Sequence, residues 1–168
     1  MPTPHEHFMT LALNEAKQAL HRKEFPVGCV LVYNDEVVAT GARQKSLEAN
    51  EMEHAEILAL RTLINQRPDI NPADVTVYST LEPCLMCYAT MIISGIRHIV
   101  YAYEDAMGGG TDLNLATLPY LYKKMDIEIT PFMLRKPSLA LFKEFFTKTD
   151  SPYLQDTMLA EYTRDQPI

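Results

Sequence analysis

Two cysteines spaced as C-x-x-C directly after a proline constrain this chain more than any other feature. In Thr80-Leu81-Glu82-Pro83-Cys84-Leu85-Met86-Cys87, Pro83 suits the first position of a helix, where its missing N–H costs nothing and its fixed φ fits the turn. Cys84 and Cys87 then lie i,i+3 on the first turn, with both sulfurs on one side. The free N–H groups and positive end of a helix N-terminus favour thiolate, the form that binds metal. Two sulfurs make half a site. Upstream, His54-Ala55-Glu56 supplies an imidazole and, two residues on, a carboxylate. One histidine and two cysteines leave zinc with an open fourth position for water, the arrangement of a catalytic rather than a closed structural site. Zinc lowers the pKa of such a water toward neutrality, and a nearby carboxylate can carry its proton. A redox pair is the competing assignment for the cysteines alone. A zinc ribbon would need a second C-x-x-C, and Cys29 is the only other cysteine.

At 168 residues the chain can bury one sizeable core and is short for two domains. No apolar run approaches the roughly 18 residues of a membrane span, and Met1-Pro2-Thr3-Pro4-His5-Glu6 lacks the basic-then-apolar order of a signal peptide. Three cysteines, two of them in a candidate metal site, suit a reducing cytoplasm better than a disulfide framework. A net charge of −7 tilts against a polyanionic partner, which prefers a basic surface.

Hydrophobic spacing fixes the order of elements. Phe8, Leu11, Ala12, Ala16, Ala19 and Leu20 recur as one face of a first helix. Val27 to Tyr33 and Glu36 to Thr40 read as a hairpin about Asn34-Asp35, with Cys29 a small buried hydrophobe. The polar stretch from Gly41 to Glu53 is expected to line a pocket, and Ala55 to Ile64 to form a buried helix. Residues i and i+2 do not face each other on a regular helix, so His54 and Glu56 can share a site only where that helix begins. Val75 to Thr80 predicts a strand delivering Cys84. A helix over 84–94 follows, with Leu85, Ala89, Ile92 and Ile93 apolar and Gly95 as its stop. Arg97 to Tyr103 is the next strand, parallel to the last by a right-handed crossover. Gly108-Gly109-Gly110 lacks the G-K-[ST] of a phosphate loop and suggests a mobile active-site loop. Asp126 to Thr130 alternates as a strand, and Ser138 to Lys148 predicts a terminal helix with Ser138 as N-cap. The expected architecture is α/β, a three-layer α/β/α domain over residues 1–150 around a five-stranded mixed sheet, followed by an acidic C-terminal tail over 151–168.

H-x-E followed by P-C-x-x-C is the signature of zinc nucleobase deaminases. With Pro26-Val27-Gly28, Val32 to Val38 and Tyr101 through Gly110, the chain resembles the cytidine deaminase-like superfamily, and within it the branch of tRNA adenosine deaminases. That resemblance implies a zinc-dependent hydrolase releasing ammonia from a nucleobase. It makes His54, Cys84 and Cys87 the Zn2+ ligands and Glu56 the proton shuttle. Val27 matches the wall against which the base lies, and Asp105 a position that contacts the ribose region. It also implies a homodimer. Two departures keep a free base or nucleoside (cytosine, guanine or cytidine type) open beside a tRNA anticodon loop. Gly41-Ala42-Arg43 carries arginine where family members usually have a base-binding asparagine, and the C-terminus is acidic where they tend to be basic. A catalytically silent subunit that binds RNA or a partner is a further alternative, against which Glu56 argues.

Overall fold

The computed structural model describes residues 1–168. Helix α1 (Pro4–His21) starts at a capping box: Thr3 Oγ1 accepts from Glu6 N at 3.2 Å, and Glu6 Oε2 accepts from Thr3 N at 2.7 Å. Its buried face is Phe8, Met9, Ala12, Leu13, Ala16 and Ala19. That stripe lies closer to Met9 and Leu13 than the sequence spacing suggested, leaving Leu11 and Leu20 only half-buried. The helix sits so near the sheet that a Cβ on Gly28 would fall 2.2 Å from the Ala12 carbonyl oxygen.

Strands β1 (Gly28–Tyr33) and β2 (Glu36–Ala42) form the expected hairpin. Asn34 and Asp35 both take positive φ, 50° and 61°, which matches a type I′ turn to the right-handed twist of the strands. β1 also pairs antiparallel with β3 (Thr76–Leu81). β3 runs parallel to β4 (His98–Tyr103), and β4 parallel to β5 (Glu128–Thr130). The sheet is therefore mixed and five-stranded, in the order β2-β1-β3-β4-β5.

Alternation along β1 splits the core. Val30 and Val32 face α1, together with Tyr78, Val100 and Ala102. Cys29 and Leu31 join a larger cluster with α2 (Ala55–Gln66) and α3 (Leu85–Ile93). A four-residue helix, α4 (Tyr120–Lys123), precedes β5. Helix α5 (Arg135–Lys148) adds Leu139, Phe142, Phe145 and Phe146 to the larger cluster, where Phe25 packs its ring against three of them. Residues 151–168 are folded against the domain: α6 (Met158–Asp165) buries Leu159, Ala160 and Thr163.

Three elements differ from expectation. The last long helix begins at Arg135, so Ser138 is not its cap. Its hydroxyl is buried and donates to the Thr80 carbonyl at 2.6 Å, pinning α5 to the end of β3. β5 is three residues long. Helix α3 starts at Leu85, after Cys84, and of its apolar residues Leu85 and Ile93 are exposed whereas Cys87, Tyr88, Met91 and Ile92 face the core. The stop at Gly95 is as expected: φ is +103°, Ile96 N donates to the Met91 carbonyl and Gly95 N to that of Ile92, a Schellman motif.

Candidate active site

Two helix starts meet at the C-terminal end of β3. His54 is the N-cap of α2, with extended backbone (φ −71°, ψ 150°), and Cys84 the N-cap of α3 (φ −66°, ψ 169°). Cys84 thus precedes the helix instead of lying on its first turn; the extended step lets its sulfur turn back beside that of Cys87. His54 Nδ1 lies 3.6 Å from Cys84 Sγ and 3.5 Å from Cys87 Sγ. The three ligand atoms fall within 4.8 Å of one another. Zinc–sulfur and zinc–nitrogen bonds of about 2.3 and 2.0–2.1 Å at a tetrahedral angle put N and S about 3.5 Å apart. The donor set and its spacing therefore fit zinc, with the fourth vertex left to solvent or substrate. The Cys84 thiol is held down to about 4, first by the hydrogen bond from Cys87, then by His54 and the Cys87 backbone N–H, against the effect of burial. Cys87 is pushed up by donating to Cys84 and by burial.

Glu56, on the first turn of α2, is 4% exposed. Its Oε1 accepts from Ser79 Oγ on β3 at 3.0 Å, and its Oε2 lies 3.6 Å from Cys87 Sγ. His54 and Glu56 reach the same place because only Glu56 is on the helix; the extended His54 swings its ring around the helix start. Burial raises the Glu56 carboxyl above the ordinary range, opposed by His54, its own backbone N–H and Ser79.

A cavity of about 190 Å³ opens beside this cluster. Val27 and Phe25 line one side, and Asp105 with Met107 and Gly108 another. Asp105 Oδ1 accepts from Met107 N at 3.0 Å and Gly108 N at 2.8 Å, and burial raises its carboxyl above the usual range.

The glycine loop is tied down, not loose. Glu82 is 7% exposed and accepts from Thr111 Oγ1 at 2.5 Å, Thr111 N at 3.4 Å and Asp105 N at 3.2 Å. A Cβ on Gly109 would come within 2.5 Å of the Glu82 carboxyl, and one on Gly110 within 2.7 Å of Leu85 N. These glycines allow close packing on the cysteine turn; they do not cradle a phosphate.

Sequence reasoning missed Ser79, Glu82, Glu51 and the placement of Arg43. Adjacent Ser79 and Thr80 near the buried end of β3 were the available signal for Ser79. Arg43 is 1% exposed; its Nη1 donates to the carbonyls of Gln44, Asn50 (3.0 Å) and Glu53 (3.0 Å), closing the loop that leads to His54. Tyr153, Leu154 and Leu159, from the C-terminal segment, complete the cavity wall.

Residues 2–103 match the cytidine and deoxycytidylate deaminase zinc-binding region. A protein of Streptococcus pyogenes serotype M18 named tRNA-specific adenosine deaminase is 34% identical over 108 residues, 63% of this chain and 67% of its own length; for its serotype M3 counterpart that share is 62%. A structure from a study of A-to-I editing by tRNA:A34 deaminases at the wobble position of transfer RNA superposes with a TM-score of 0.70, at 29% identity over 80% of this chain and 98% of that one. A guanine deaminase from Nitrosomonas europaea, 21% identical over 86% of this chain and 85% of its own at a TM-score of 0.67, shares the fold. The match across residues 2–103, with the His/Cys/Cys group that it spans, makes this chain a member of the cytidine and deoxycytidylate deaminase zinc-binding family, hydrolases that deaminate nucleobases.

Proposed function

We propose that this chain deaminates adenosine in RNA, with His54, Cys84 and Cys87 holding zinc, Glu56 moving protons, Val27 flanking the base and Asp105 facing its sugar. The observation that carries this is the convergence of one imidazole nitrogen, two sulfurs and a buried carboxylate at the floor of a cavity of about 190 Å³. Zinc on such a donor set brings a water toward neutral pKa and leaves room for it to attack. Glu56 accepts the proton lost by the attacking water and delivers protons to the ring nitrogen and the departing amine. Water adds its oxygen to the amino-bearing carbon, the C–N bond breaks, and ammonia leaves as the carbonyl forms. Ser79 holds the carboxylate by one oxygen and leaves the other toward Cys87.

The tRNA substrate is supported by the activities named for the 34%-identical relative and the 29%-identical structure. One observation favours a second reading, a free base or nucleoside: Tyr153, Leu154 and Leu159 narrow the cavity from the C-terminal side. Ammonia release from an anticodon stem-loop bearing adenosine, set beside adenosine, adenine, guanine and cytidine, separates the two. A kcat/KM for the stem-loop at least about 100-fold above every small substrate is expected, more than ring packing alone would discriminate. The reverse order would move the assignment to the small molecule.

The same proposal includes a cytoplasmic place, where the thiols of Cys84 and Cys87 stay reduced, and a homodimer. Support for the dimer is the apolar surface of α2 and α3, where Ile64 is 48%, Leu85 56% and Ile93 57% exposed. Light scattering behind size exclusion should give twice the chain mass, and Ile93→Glu the mass of one chain. A native protein that elutes as a monomer at micromolar concentration overturns the dimer.

A further inference from the structure

The C-terminal segment does more than cover the core. Its helix α6 is fixed: Tyr103 Oη meets Thr163 Oγ1 at 3.0 Å, Tyr162 Oη donates to Glu104 Oε1 at 2.8 Å, and Lys143 Nζ of α5 donates to the Arg164 carbonyl at 2.8 Å. Between α5 and α6, the link over residues 149–157 reaches toward the cavity. Tyr153 Oη donates to Glu51 Oε2 at 2.9 Å, and Arg43 Nη2 donates to that same carboxyl oxygen and to Tyr153 Oη, both at 3.4 Å. The Arg43 guanidinium carbon sits 5.6 Å from the centre of the Tyr153 ring, which packs against Phe25 at 5.5 Å. Leu154 holds a left-handed φ of 57°, unusual for a non-glycine residue, and that conformation turns it into the cavity wall.

We propose that Arg43, Glu51 and Tyr153 form a latch that holds this link against the base cavity, making Tyr153 the residue that decides between a free base and a base attached to a polynucleotide. The inference rests on the deaminase site proposed above and adds to it a specificity element. Three features make the group a latch instead of a fixed wall. Arg43 is buried and held by three backbone carbonyls, so the loop half is rigid. Glu51 is 63% exposed, so its bond to Tyr153 competes with water and opens readily. The other half is a short link strung between two anchored helices, and it can swing outward without unfolding either one. Closed, it walls one side of the cavity with Tyr153 and Leu154; open, it frees the side from which a sugar–phosphate chain would approach. Glu51 Oε2 is also 3.7 Å from His54 Nε2, which has no hydrogen-bond partner, so the latch abuts the metal-facing histidine.

The test compares Tyr153→Ala and Tyr153→Phe with the native enzyme. Each is assayed on the base that the native enzyme turns over fastest, supplied as nucleoside and in the loop of an RNA hairpin. The ratio of kcat/KM for hairpin over nucleoside should rise at least about tenfold in Tyr153→Ala, the scale of one lost packing contact, and by a smaller factor in Tyr153→Phe, which keeps the ring. Zinc content and melting temperature report that each variant is folded. A ratio unchanged in an active Tyr153→Ala enzyme overturns the latch. Amide exchange supplies an arm that needs no turnover: the amides of Tyr153 and Gln155, which donate to Ser151 Oγ and the Pro152 carbonyl at 3.4 Å, should exchange about tenfold faster in Tyr153→Phe, an opening shifted by one hydrogen bond. Unchanged exchange there also overturns the latch, whereas a native enzyme inactive on every base overturns the deaminase site and leaves exchange to decide the latch.

Discussion

Glu56→Gln should lower deamination by about 10³- to 10⁴-fold while the protein keeps its zinc and its fold, within the range that a positioned proton carrier contributes. The substitution is nearly isosteric. The Gln carbonyl oxygen can still accept from Ser79 Oγ, so the side chain stays where Glu56 lies, 4% exposed between β3 and Cys87. What it loses is the ability to take a proton. Every proton in the reaction must leave the attacking water and arrive at the ring nitrogen or the amine, and within the cavity no other buried carboxylate abuts both Cys87 and the histidine. Asp105 is spent on the turn formed by Met107 and Gly108, and Glu82 on Thr111 and Asp105. Ammonia release under single-turnover conditions, with zinc counted by plasma mass spectrometry, checks the prediction. A zinc-loaded Glu56→Gln protein with more than about a tenth of native turnover would remove Glu56 from the chemistry.

The residues that form this centre were legible because they are local in sequence. Pro83-Cys84-Leu85-Met86-Cys87 and His54-Ala55-Glu56 each carry their chemistry within five residues, and both fall where a strand or loop gives way to a helix. The hairpin at Asn34-Asp35 and the stop at Gly95 were legible for the same reason, since turn chemistry and positive φ act over a few residues. Contacts between distant segments were not. Arg43 meets Tyr153 across 110 positions, and nothing in Gly41-Ala42-Arg43 announces a partner in an acidic terminus. Ser138 looked like a cap because serine often is one; its partner, the Thr80 carbonyl, lies on another element, and tertiary contact overrode the local preference. Leu85 and Ile93 are apolar yet exposed, which composition does not reveal. An apolar helix gives no periodicity from which to choose its buried side, so the face is set by where Cys87 must point.

Replacing Cys87 by serine should cost the protein its metal, its activity and about 10 °C of thermal stability together. Cys87 is fully buried, 3.5 Å from His54 Nδ1, on the first turn of α3. A serine hydroxyl is shorter and does not ionise near neutral pH, so it cannot replace the thiolate that zinc requires. Metal bound to the native state alone stabilises it by about 4 kcal/mol when free metal exceeds Kd a thousandfold, and each kcal/mol moves the melting point of a chain of this size by about 2–4 °C. Losing that linkage gives the expected shift. Chelator should lower the native melting temperature by a similar amount and leave Cys87→Ser unmoved, because the variant has no metal to surrender. A redox C-x-x-C protein behaves otherwise: its melting point would follow oxidant and reductant instead of chelator, and Cys84 and Cys87 would form a reversible disulfide. A variant that retains stoichiometric zinc would therefore break the His/Cys/Cys assignment itself, because His54 and Cys84 alone supply too few protein ligands for a catalytic zinc site.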